Sequence, residues 1–183
     1  MTKANRFCLF LMMALCAEAF AGCKPSNPPE TVAFVEIQRY VGTWYEIARY
    51  PQFFERGLVG VTAEYALQND GTVSVTNRGF KNTLDGSQSS IHGVATVVDT
   101  ATNAKLSVRF DLFPASLFPG DYWIIELGEN YEYAVVSDPR RTTLWILNRT
   151  PQMQASVYDG IIASLTDKGF DTTKLELTPQ PAQ

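Results

Sequence analysis

The sequence predicts an all-β protein: an eight-stranded antiparallel up-and-down β-barrel with one C-terminal α-helix packed outside it. Three observations carry that expectation. Short segments of alternating apolar and polar residues run from Gly42 to Arg149, the period of a strand with one buried face. Hairpin-length turn signals separate them, Asn69-Asp70-Gly71 being the clearest. Helical spacing is reserved for the stretch from Thr150 to Gly169. A closed barrel removes the unpaired edges that a flat meander would expose, and eight strands can enclose one small ligand.

The chain has 183 residues, 45% hydrophobic and 19% charged, which fits one globular domain. Its net charge is −4 and it holds no basic run, so no nucleic-acid partner is expected.

Residues 1–22 read as a signal peptide. Lys3 and Arg6 form a positive start, and Phe7 to Ala17 is apolar but too short for a stable membrane span. Cys23 directly after Ala21-Gly22 resembles the lipobox of bacterial lipoproteins, where the cysteine is acylated and becomes the first mature residue. Cys8 and Cys16 leave with the signal, so Cys23 is the lone mature thiol, without a disulfide partner. Lys24 in place of an aspartate resembles the default for sorting to the bacterial outer membrane, lipid-anchored on its periplasmic side. Residues 23–33, with Pro25, Pro28 and Pro29, then read as a lipidated cysteine and a stiff tether that lifts the fold off the membrane.

The barrel domain is expected over residues 34–178, followed by a tail at 179–183. Phe34 to Tyr40 suggests a helical turn over one end. Trp44 to Tyr50 is the first strand, stopped by Pro51. Val61, Ala63, Tyr65 and Leu67 share a face, as do Val73 and Val75 beyond the turn. Lys81 to Ser90 reads as a loop, and Ile91, Gly93, Ala95 and Val97 form the next face. Leu106, Val108, Phe110 and Leu112 alternate most cleanly. Tyr122–Leu127, Tyr133–Ser137 and Leu144–Arg149 complete the set. Thr150-Pro151 supplies a capping hydroxyl and a first-turn proline, Met153, Val157, Tyr158, Ile161, Ile162 and Leu165 follow helical spacing, and Gly169 marks the stop. Lys174 to Thr178 suggests a short ninth strand.

Strand direction alternates in such a barrel, so the first strand starts and the eighth ends at the same floor. Trp44 and Arg149 therefore meet there. A guanidinium over an indole face is worth about 1–2 kcal/mol when partly desolvated. The same counting puts Pro51–Gly60, Lys81–Ser90, Phe113–Gly120 and Asp138–Arg141 at the open end. Phe113, Leu117 and Phe118 would form an apolar lip there, which suits a ligand, a partner, a membrane or local packing.

Gly42-Thr43-Trp44-Tyr45-Glu46-Ile47-Ala48-Arg49 resembles the first signature of the lipocalins, and Leu144 to Pro151 resembles their last. Tyr131 to Val136 with Ser137-Asp138-Pro139 resembles the middle one. With the anchor, the likeness is to the bacterial outer-membrane lipoprotein lipocalins, over about Glu36 to Thr178. It implies Trp44–Arg149 closure and a lipid-filled cavity. The inward face would place Tyr65, Leu67, Leu106, Val108, Phe110 and Leu112 around the ligand. Trp123 joins them partly through the resemblance, since related lipocalins place a pocket tryptophan here. A mostly apolar lining suits a fatty acid or lysophospholipid, held for storage or transport with broad specificity.

No enzyme, cofactor or metal site is expected. His92 is the only histidine, a lone imidazole that cannot build a metal site, and no mature nucleophilic cysteine or phosphate loop is present. Asn148-Arg149-Thr150 matches a glycosylation sequon but ends a strand in what resembles a bacterial lipoprotein. Two alternatives stay open: an envelope interaction module that binds a protein through its open-end loops, and a lipid-acting enzyme on the same barrel. A homodimer is a further assembly this reading allows.

Overall fold

The computed structural model describes residues 27–112 and 115–182. The stretch read as a signal peptide, Cys23 and Phe113 lie outside the described residues. Strands run β1 (Gly42–Arg49), β2 (Leu58–Leu67), β3 (Val73–Lys81), β4 (Gln88–Val97), β5 (Lys105–Phe110), β6 (Gly120–Leu127), β7 (Tyr133–Ser137), β8 (Leu144–Asn148) and β9 (Glu176–Leu177). Helix α1 spans Ile37–Tyr40 and α2 spans Ala155–Asp167.

Each strand from β1 to β8 pairs antiparallel with the next, and β1 also pairs with β8, which closes the barrel. The short β9 adds to β1 beyond the point where β2 leaves it. The closing turn after β2 is built by Asp70, whose carboxylate accepts from the Thr72 amide at 2.9 Å and hydroxyl at 2.7 Å, with Gly71 at φ +83°.

Two apolar clusters explain the patterning. One fills the barrel and includes Trp44, Tyr65, Val75, Leu106, Val108, Ile124 and Leu147. The other lies between the wall and α2, where Ile125, Val135, Leu144 and Ile146 meet Ile161, Leu165 and Phe170. Strands β6 to β8 are therefore apolar on both faces, whereas β3 and β4 turn polar residues such as Thr76, Arg78 and His92 outward, and alternate.

Four expectations are corrected. Strands β3 and β4 extend through Lys81 and from Gln88, into the stretch that read as a loop, because their open-end halves carry polar residues on both faces. Helix α2 begins at Ala155, not at Thr150-Pro151. The Asn148 amide donates to the Thr150 carbonyl, the Thr150 hydroxyl and the Gln152 carbonyl, each at 3.0 Å, and so locks those residues into a turn. The tether is shorter than read: Pro29 is buried, the Val32 amide donates to the Ile124 carbonyl at 3.0 Å, and the Val35 amide to Thr102 at 2.7 Å. The tail is also tied down. Gln180 donates from Nε2 to the Glu46 and Val61 carbonyls at 2.8 Å each, which bridges the gap between β1 and β2.

The C-terminal end of α2 does follow the sequence. The Phe170 amide donates to Leu165 and the Gly169 amide to Thr166, with Gly169 at φ +78°. That is a Schellman stop, in which the left-handed position favours glycine.

Candidate functional site

The floor is built first. Trp44 is fully buried, and its indole N–H donates to the Tyr40 carbonyl at 2.8 Å, so α1 and β1 share one plug. The Arg149 guanidinium lies 3.8 Å from the centre of the Trp44 ring. It donates to the carbonyls of Arg39, Tyr40, Val41, Thr43 and Tyr131 at 2.7 to 3.2 Å. One planar fork thus gives a donor to each carbonyl it reaches where α1 ends and β1 starts, sharing that of Tyr40 with the Trp44 indole. Its backbone amide reaches Glu132 as well, tying in the β6–β7 turn.

Above the plug lies a narrow cavity lined by Ile37, Tyr40, Val41, Tyr65, Val73, Ala95, Leu106, Val108 and Tyr122. Its volume is only about 10 Å³. Tyr40 and Tyr65 each bond the Tyr122 hydroxyl, at 2.7 and 3.0 Å. Burial raises the pKa of all three, that of Tyr65 to about 12, so they stay neutral. Three hydroxyl protons serve two bonds, which leaves one donor unspent in the trio. Higher on the wall, Asn77 sits opposite Ala63 and Ile91, and its Oδ1 is buried without a donor. The interior therefore offers both a free donor and a free acceptor.

Of the residues expected around the ligand, Tyr65, Leu106 and Val108 line this cavity, and Phe110 packs against the same interior cluster. Leu67 and Leu112 do not line it. Leu67 is the last residue of β2 at the closed end and is 41% exposed, while Leu112 lies past the end of β5 at the mouth and is 63% exposed. Trp123 faces outward, against the α2 side, with Lys105 Nζ 4.6 Å from its ring centre. The register decides this: Tyr122 pairs with inward Leu106, so Trp123 must point the other way. Besides Trp44, the tryptophan packed against the interior cluster is Trp145, on β8, which the sequence reading did not assign to the pocket.

A charged cluster that sequence reasoning also missed occupies the upper interior. Glu46 sits opposite Leu147 and Arg49 opposite Trp145, so a bulge at Ile47 turns both charges inward. Arg49 is buried; it pairs with Glu46 and donates to the Thr178 hydroxyl at 3.0 Å and to the carbonyls of Glu55 and Leu58 at 3.0 and 3.3 Å. A single 3-10 turn, Phe53–Glu55, brings the Glu55 carboxylate in from the β1–β2 loop, 3.8 Å from Arg49 Nε. There it accepts from Trp145 Nε1 at 3.3 Å. Burial and the neighbouring Glu46 push the Glu55 pKa up to about 7.

That value sets a pH dependence. The ordinary carboxylate value is 4.5, so between 4.5 and about 7 the folded chain keeps a proton that the unfolded chain releases. Stability from Glu55 is then full below 4.5 and is lost as pH rises through 7. Glu55→Gln should flatten this part of a melting-temperature profile and raise the melting temperature above neutrality. A profile with the same slope in both proteins would refute the assignment.

At the mouth, Phe53 and Phe54 pack edge to face with ring centres 5.6 Å apart, yet both project into solvent, as do Leu112, Leu117 and Phe118. Among the described residues no cluster of histidine, cysteine and carboxylate groups could hold a metal ion.

A sealed floor, an inward-facing apolar lining and a loop-guarded mouth define a calyx: a barrel closed at one end and accessible at the other. A lipocalin-like domain model matches residues 35–180. The outer membrane lipoprotein Blc of Vibrio cholerae is 40% identical over 169 residues, covering 90% of this chain and 95% of that protein. The Escherichia coli K12 protein of the same name is 39% identical over 178 residues, covering 94% and 98%. Insecticyanin from the tobacco hornworm superposes with a TM-score of 0.65 at 18% identity, covering 86% of this chain and 88% of that one. The chain belongs to the lipocalin family.

Proposed function

We propose that this lipocalin is a lipid carrier, anchored to the outer membrane of a bacterium through acylated Cys23 and holding a fatty acid or lysophospholipid in its barrel. The observation that carries the reading is the interior itself. An apolar lining surrounds one unspent tyrosine hydroxyl and one unpaired asparagine oxygen. An acyl chain suits the lining, and its ester, carboxyl or hydroxyl oxygens suit the two polar atoms. The relatives named outer membrane lipoproteins support the location.

Ligand pockets usually measure about 300–1,000 Å³, so a lipid must widen the cavity. The β1–β2 loop is the element to move, because the Arg49–Glu55 contacts hold it over the mouth. The chain is a binder in this reading and turns nothing over.

Native extraction followed by mass spectrometry should find a monoacyl lipid in the purified protein, intact after incubation. Titrating delipidated protein with a fatty acid should change tryptophan emission saturably, and Trp145→Phe should remove most of that response. An unsaturable titration, or conversion of the bound lipid, would overturn the carrier reading.

A further inference from the structure

We propose that the mouth of the barrel docks on the phospholipid surface to which the chain is anchored, so that the calyx opens toward the bilayer. The inference rests on acylation of Cys23 and extends it to an orientation.

The first observation is where the chain enters the fold. The Asn27 carbonyl accepts from Arg141 Nη1 at 2.6 Å, and Arg141 belongs to the β7–β8 connection at the open end. From there the chain runs along the wall, through Val32 on Ile124, to Val35 on Thr102 at the closed end. Cys23 precedes Asn27 by four residues, a reach of at most about 14 Å at full extension. An acyl group on Cys23 therefore enters the bilayer within that distance of the mouth.

The second observation is what the mouth presents. Phe53 is 85% exposed and Phe118 is 75% exposed, with Phe54, Leu112 and Leu117 nearby in the β1–β2 and β5–β6 connections. Apolar groups of this size on loops at opposite sides of the mouth are costly in water and favourable in the interfacial layer of a membrane. Arg56, Lys81 and Arg140 stand exposed at the same end beside Asp85, Asp111 and Asp121, so the apolar groups rather than net charge carry the docking. The closed end differs. It exposes Phe34, Leu67 and Val98, with Arg39 and the carboxylates of Asp70 and Glu129.

The arrangement gives a dry route. A lipid leaving the bilayer meets Phe53, Phe54 and Phe118 before the Glu55 turn, without crossing open water.

The test uses the full chain, processed in a bacterial host and reconstituted into vesicles of phosphatidylethanolamine and phosphatidylglycerol. Phe118→Cys or, as the closed-end control, Val98→Cys carries an environment-sensitive dye. Melting curves confirm that both variants fold. The dye at 118 should shift to shorter wavelength on vesicles and lose most of its access to an aqueous quencher, with the dye at 98 unchanged. Flotation with an aqueous dye at 118 overturns the docking and leaves the anchor standing. Failure to float overturns both. A shift at 118 that depends on protein concentration and needs no vesicles assigns the face to a second copy and overturns the proposal.

Discussion

Arg149→Ala should lower the stability of the barrel by about 3 kcal/mol or more, the loss of several hydrogen bonds from one charged group. For a chain of this size that is a fall in melting temperature of about 6–12 °C. The reason is geometric. Five carbonyls from α1, β1 and the β6–β7 turn converge on one fork, and the same plane covers Trp44. Alanine removes this donor from all five carbonyls, leaves Tyr40 only its bond from the Trp44 indole, and uncovers that indole. Arg149→Lys should recover only part of the loss, because a point charge cannot reproduce the fork. Denaturant melts of the three proteins decide it; a change within about 0.5 kcal/mol, the range of ordinary surface substitutions, would remove the closure role.

The second large effect belongs to Arg49. Arg49→Ala removes the cation between two buried carboxylates, and a broken buried pair costs about 3–5 kcal/mol. It also releases the Glu55 and Leu58 carbonyls that hold the β1–β2 loop. The cost should shrink as pH falls through 7, because protonation neutralises the stranded Glu55. Arg49→Met combined with Glu46→Gln and Glu55→Gln should be milder than Arg49→Ala alone, since no charge is then left unpaired. Equal destabilisation of the single and triple variants at all pH values would show that packing, not charge, holds the loop.

Much of the architecture was legible because barrel strands announce themselves by alternation, and the two ends of the series carry the closing pair. Trp44 and Arg149 follow from strand counting alone. The interior was legible where one face was apolar and the other polar, as at Tyr65, Leu106 and Val108. It failed on β6. Tyr122, Trp123, Ile124 and Ile125 are large and apolar on both faces, because α2 covers the outside. Composition then carries no signal for which side faces in, and the register with Leu106 supplies it. The charged cluster failed for another reason. Glu46 and Arg49 are three apart, so strict alternation would put them on opposite faces, and a bulge that no local residue signals brings them together. Leu67 and Leu112 share the right face but overrun the ends of the cavity, a matter of strand length rather than pattern.

The double pairing of β1 bears on how the barrel assembles. Most strands meet their neighbours through short hairpins, but β1 must wait for β8, roughly a hundred residues later in the chain, and such non-local pairing makes folding slow. The chain entropy of that final zipping is repaid only when Arg149 arrives and the floor locks. The barrel therefore stays open until the chain is complete through Arg149, and only then do α2 and β9, which follow it, cover the wall and extend β1. The residue that locks the floor thus sets the earliest moment at which the sheet can lose its last free edges.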